Sequence, residues 1–149
     1  AMAAHTLLAT FVLFVSVVLA GLATAKGAVP WAGIITACMV SWTASLPLIP
    51  IQLWAATWKG IFFSMAIGFA GMLTGVLAAA KSYWIAVPWS WATRLMCPTI
   101  GAHPNGLLLE AADPLWDPSV IPIGIGLSLI VFIAATAITA LWFRGREVK

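Results

Sequence analysis

Four stretches of this chain run for more than twenty residues without an Asp, Glu, Lys or Arg: 5–25 (HTLLATFVLFVSVVLAGLATA), 31–57, 60–80 (GIFFSMAIGFAGMLTGVLAAA) and 120–143 (VIPIGIGLSLIVFIAATAITALWF). A helix of about 20 residues crosses the ~30 Å hydrocarbon core of a bilayer. Inside that core every backbone polar group must be satisfied within the protein, which favours helices. Composition agrees, with 63% hydrophobic and 7% charged residues, against roughly a quarter charged in an ordinary soluble domain. The expected fold is all-α and integral to the membrane. It is one transmembrane domain over 1–149 with about four spans, and it has no room for a soluble catalytic domain.

The first run ends in ATA before Lys26, as a signal-peptidase site does. Its apolar core is longer than the 7–15 residues usual in a signal peptide, and no Lys or Arg precedes it, so it reads as a span. Threading four spans places Lys59, Arg144, Arg146 and Lys149 on one side and Lys26, Lys81 and Arg94 on the other. The positive-inside rule then puts the C-terminus in the cytoplasm. Trp31, Trp54, Trp58 and Trp142 fall near span ends, the depth that indole prefers. Trp42 falls near mid-membrane, where its N–H needs a partner.

The connection 82–119 is long for a compact protein, and such segments are usually functional or disordered. Its leucines and tryptophans argue against disorder. Within it, YWIAVPWSWATRLMCP (83–98) has two prolines, one arginine and an apolar run too short to span. It is expected to be a partly helical outer element, interfacial or re-entrant, with Trp84, Trp89, Trp91 and Arg94 at the outer face. GAHPNG then signals a turn, and Glu110, Asp113 and Asp117 follow on the same side.

The spans lack the ionisable residues around which proton relays and voltage sensors are generally built. HExxH, GxSxG and Walker sequences are absent, so this chain alone is not expected to be an enzyme. Cys38 and Cys97 have no metal-type spacing and read as packing residues. His5 and His103 fall on opposite faces, and His103 in AHPN reads as a turn residue. Seven Lys and Arg scattered singly make no basic stripe for nucleic acid. Gly68, Gly71 and Gly75 are helix-packing material, the last two forming a GxxxG, with packing inside the bundle preferred to a dimer seam. Pro47 and Pro50 remove backbone donors and should kink the second span. Ser41, Thr43, Ser45 and Gln52 either satisfy the freed carbonyls or line a polar path.

SLPLIPIQLW, YWIAVPWSWATRLMCP, GAHPNG and LWFRGREVK, in this order and spacing, resemble permease subunits of lantibiotic-immunity ABC transporters, of the ABC-2 type. The resemblance implies a plasma-membrane protein of a Gram-positive bacterium, paired with a second permease and a separate cytoplasmic ATPase. ATP and Mg would reside on that partner, and this chain would hold no cofactor. The complex would expel lantibiotic peptides from the membrane. Family permeases look like six-span proteins and this chain matches their last four. Together with its AMAAH start, that suits a portion lacking two N-terminal spans and the main coupling element. In the family the segment before the last span closes the outer exit. Trp84, Trp89 and Trp91 could then give interfacial contact area, and Glu110, Asp113 and Asp117 a negative rim for a cationic peptide. Membrane anchoring and solvated loop charges are the plainer readings of the two sets. Trp58, Lys59, Arg144 and Arg146 would remain as the inner-face contacts for the ATPase. An ABC-2 exporter of another antibiotic or lipid-like cargo, and a non-transporting structural subunit, stay open as alternatives.

Overall fold

The computed structural model describes residues 2–24 and 30–147; Lys26 and Lys149, used above for orientation, lie outside them. Its helices are α1 (Met2–Thr24), α2 (Trp31–Ser45), α3 (Leu48–Lys59), α4 (Ile61–Ala79), α5 (Pro88–Ile100) and α6 (Val120–Glu147). Four segments are long and apolar enough to cross a membrane, α2 and α3 together forming the second over Trp31–Lys59. The protein is thus an all-α, multi-pass membrane protein.

Polar side chains within the spans mostly turn back on their own helices. Thr10 donates to the Thr6 carbonyl at 2.9 Å, Ser16 to Val12 at 2.8 Å and Thr74 to Ala70 at 2.9 Å. A hydroxyl bonded in this way brings no unmet polar group into hydrocarbon. α1 leans on α2, and the Trp42 indole donates to Thr6 Oγ1 at 3.2 Å, which supplies the partner a mid-span indole needs. Elsewhere α1 presents large apolar side chains such as Leu8, Phe11 and Leu19 outward, as a lipid-facing helix does.

The second span breaks at Leu46–Pro47 because Pro47 and Pro50 cannot donate. The Leu46 N–H bonds Thr43 O at 3.3 Å and the Ile49 N–H bonds Leu46 O at 3.1 Å, tightening the backbone by one residue at each point. This shift leaves Trp42 O without its usual donor, and Ser45 Oγ takes that place at 2.8 Å. A single residue, Gly60 (φ 90°, ψ 173°), joins α3 to α4. That left-handed φ with extended ψ is open essentially to glycine alone.

The best-buried cluster is not among the four spans alone. Val40 and Ala44 of α2, Trp84, Trp91 and Leu95 of the long connection, and Val120 of α6 pack as one core. Between lipid-bathed helices, close packing rather than water exclusion is the main attraction. The re-entrant segment, with its bulky side chains, supplies much of it.

Candidate functional site at the re-entrant helix

α5 is thirteen residues long, about 20 Å by its rise, too short to span. Its start is set locally. Val87 is extended, as a residue before proline prefers, and Pro88 occupies the first helical turn, where its missing N–H costs nothing. Ser90 Oγ donates to the carbonyl of Trp84 at 2.8 Å, and the Trp91 indole donates to Ile85 O at 3.0 Å. These two bonds fold the short 3₁₀ turn Trp84–Ala86 against the helix. Gly101 ends α5 at φ +68°, its N–H bonded to Cys97 O at 2.9 Å.

The helix is keyed into its neighbours at glycines. A Cβ on Gly71 would lie 2.3 Å from the Trp89 ring, and one on Gly75 2.6 Å from the Trp89 carbonyl oxygen. On the other side, a Cβ on Gly124 of α6 would lie 2.4 Å from Leu95 Cδ1. Gly71 is eight residues inside the end of α4 at Ala79, about 12 Å of helix rise. Thus α5 sits between α2, α4 and α6 and below the end of α4, in the manner of a re-entrant element. Gly68 serves a different contact, giving room to the Gln52 carboxamide, which lies 2.9 Å from where its Cβ would be. Gln52 turns its amide nitrogen to the Ser64 carbonyl at 2.8 Å, and Ser64 Oγ donates to the Gln52 backbone carbonyl at 3.0 Å.

Of the outer residues singled out from sequence, Trp84, Trp91 and Arg94 are buried, and Trp89 is half-buried against α4. Arg94 Nη1 donates to Leu115 O at 3.1 Å, joining α5 to a second 3₁₀ turn, Pro114–Trp116. Asp113 caps that turn, accepting from the Leu115 N–H at 2.8 Å. The Trp116 indole donates to Glu110 O at 2.8 Å and its ring covers Gly101. Asp117 accepts from the Ser119 N–H at 2.9 Å. Hydrogen bonds from Ser119, helped by the more distant Arg94 charge, hold its carboxyl below the ordinary aspartate range. Glu110 and Asp117 are exposed and Asp113 is half-buried.

Between α5 and this turn the chain forms a tight β-turn. His103 O accepts from Gly106 N–H at 2.8 Å, and Asn105 Oδ1 from Leu107 N–H at 3.0 Å. Ala102 and Leu108 face each other in an antiparallel bridge.

The remaining candidates lie elsewhere. Pro47 and Pro50 are buried, and Ser45 and Gln52 are spent on the Trp42 carbonyl and on α4. At the opposite end from α5, Lys59 Nζ stands 4.6 Å from the Trp58 ring centroid and 5.5 Å from that of Phe63, with Trp54 stacked on Trp58 at 5.0 Å. Span order brings exposed Arg144 to that same end. Arg146 lies in the last turn of α6. Leu95 and Gly124 join the site without having been singled out; for Gly124, a glycine inside an apolar run was the available signal. Among the described residues no group of three His, Cys, Asp or Glu side chains is placed to hold a metal ion.

Compared with known proteins, the chain matches no protein-family profile, no curated sequence and no solved structure.

Proposed function

We infer that this chain is the permease portion of an ATP-driven ABC-2 exporter that gives self-immunity by expelling lantibiotic peptides from the bacterial plasma membrane. The observation that carries the reading is the α5 cap. A short helix re-enters one end of a four-span bundle, seated in glycine notches on α4 and α6 and tied by Arg94 to the loop above it. Such an element closes one end of the bundle through contacts that can part as a unit. The chain itself contributes no bond-making chemistry in this reading. ATP and Mg act on a partner ATPase, and a second permease completes the path.

With the C-terminus cytoplasmic, α5 and its acidic loop face outside, where peptide is released. Lys59, Arg144 and Arg146 face the ATPase. Mild-detergent capture of the native full-length protein from its own membrane tests the assignment. Recovery of an ABC-type ATPase with a second permease supports it. Repeated recovery with no nucleotide-binding partner overturns it in favour of a structural subunit.

A further inference from the structure

The loop that follows α5, residues 101–109, carries apolar side chains on its outside. Leu107 is 67% and Leu108 83% exposed, and Ile100 at the end of α5 is 53% exposed. From Leu95 to Leu109 the sequence has no Asp, Glu, Lys or Arg. The loop is nonetheless a built structure. The His103 N–H donates to Leu107 O at 2.7 Å and the Leu109 N–H to Gly101 O at 2.9 Å, and the turn between them is closed by the Gly106 and Leu107 N–H groups. A shaped segment thus holds two large apolar side chains away from the rest of the chain. In water that arrangement is unfavourable, and a patch of this kind marks a surface that something apolar covers.

The depth of the loop in the bundle says what that cover is. Ala102, His103, Pro104 and Gly106 share the walls of a cavity of about 350 Å³ with Ser41 of α2, so the loop lies beside that residue. The second span, Trp31–Lys59, has 29 residues, about 43 Å of helix rise against a hydrocarbon core of about 30 Å. Ser41 lies about 15 Å of rise from Trp31. Were the whole surplus of about 13 Å outside the bilayer at the Trp31 end, Ser41 would still lie in the hydrocarbon. The loop beside it therefore continues the lipid-facing surface of the spans. Its far end returns toward water. The exposed Glu110 is the first charge after the loop, and the Trp116 indole covers Gly101 and donates to Glu110 O at 2.8 Å. An indole so placed is the kind of ring that settles at headgroup level.

We propose that loop 101–109 is set in the lipid of the leaflet at the α5 end, with Leu107 and Leu108 among acyl chains beneath the headgroups and Glu110 at the return to water. The α5 cap is then held at its start by Trp89 in the notches of α4 and beyond its end by lipid. This inference rests on the four spans and not on the export reading. The test places a nitroxide label on single cysteines in the full chain, in phosphatidylcholine nanodiscs and a Cys38→Ala, Cys97→Ala background. Leu107→Cys and Leu108→Cys probe the loop, Glu110→Cys the water side, and Phe69→Cys a span position, 63% exposed on α4. Collision rates are read with oxygen, which concentrates in lipid, and with a water-soluble nickel chelate. The oxygen-to-nickel ratio at 107 and 108 is expected to be several-fold above that at 110 and to approach that at 69. If the background loses its helical circular dichroism, Cys97 is kept and the signal of the labelled parent subtracted. A ratio at either leucine position equal to that at 110 overturns the proposal, because the loop then stands in water. Shielding from both reagents with an immobilised spectrum at either position also overturns it, and assigns the cover to protein, such as a second copy of this chain.

Discussion

The guanidinium of Arg94 reaches across the connection between α4 and α6 to the main-chain carbonyl of Leu115, twenty-one residues away, at 3.1 Å. Both residues are buried, at 7% and 6% exposure. The acceptor is a neutral carbonyl, not a carboxylate, so the bond works as a tether more than as an ion pair. A charge taken out of water is tolerated only where its donors find acceptors. The position of α5 and that of the Pro114–Trp116 turn therefore depend on one another.

Loss of this tether should open the α5 cap. Cys97, 1% exposed, stands one turn from Arg94 and reports on it. In a Cys38→Ala background, Arg94→Met is expected to raise the rate at which a membrane-impermeant maleimide labels Cys97 by about tenfold. That corresponds to ~1.4 kcal/mol, within the ~1–3 kcal/mol cost of a stranded buried carbonyl. Arg94→Lys, which keeps a donor but not its planar reach, should fall between. Equal labelling rates in all three proteins would show that the tether does not hold the cap.

The glycine notches predict an asymmetric rescue. Gly71→Ala meets the side chain of Trp89, whereas Gly75→Ala meets its backbone. Each should destabilise by about 1–3 kcal/mol through overpacking, read as a lowered thermal midpoint in detergent. Adding Trp89→Leu should restore Gly71→Ala and leave Gly75→Ala impaired, because truncating a side chain does not move a carbonyl. On α6, Gly124→Ala should recover with Leu95→Ala. Rescue of Gly75→Ala by Trp89→Leu would mean that α5 is not seated where it is described.

The four spans were legible because lipid imposes length and apolarity directly, and the observed helices begin and end within a few residues of the runs, α6 extending furthest beyond its own. The break at Pro47 was legible for a similar reason: a missing N–H acts locally whatever surrounds it. The depth of α5 was not. Arg94 among tryptophans reads as an interfacial residue when only its own segment is considered. Its burial follows from Gly71 and Gly75 on one helix, Gly124 on another and the Leu115 carbonyl further along the chain. No periodicity connects those positions. The spacing of Gly71 and Gly75 announced a close approach but not that Trp89 makes it.

Acid should act on the connection between α5 and α6 in a narrow window. The Asp117 carboxyl is held below the ordinary range by Ser119, so its folded value lies under the unfolded value of about 3.9. A group depressed in this way contributes its full stabilisation above the unfolded value. The contribution is lost as pH falls through the folded one. Amide hydrogen exchange of Ser119 should accordingly be flat from pH 8 to about 5, once corrected for intrinsic rate, and show lost protection only below about 4. Asp117→Asn should remove that acid step. A step near pH 6 instead would point to a different titrating group.

The three carboxylates Glu110, Asp113 and Asp117 should divide by function if cationic peptide is drawn to this face. Asp113 is committed to the Leu115 N–H at 2.8 Å, so Asp113→Asn weakens a cap and should loosen the turn. Glu110 and Asp117 are exposed, and their charges project into the water that an arriving peptide crosses. Long-range attraction of this kind is screened over about 8–10 Å at ordinary ionic strength. Glu110→Gln with Asp117→Asn is therefore expected to reduce immunity several-fold at low salt and little at high salt, with expression unchanged. Asp113→Asn should reduce it at both and speed Cys97 labelling. The measurement is the inhibitory concentration of a cationic lantibiotic, in cells carrying the complete transporter, at two ionic strengths. Unchanged resistance in the double variant at low salt would remove the electrostatic role and leave Glu110 and Asp117 as solvated loop charges.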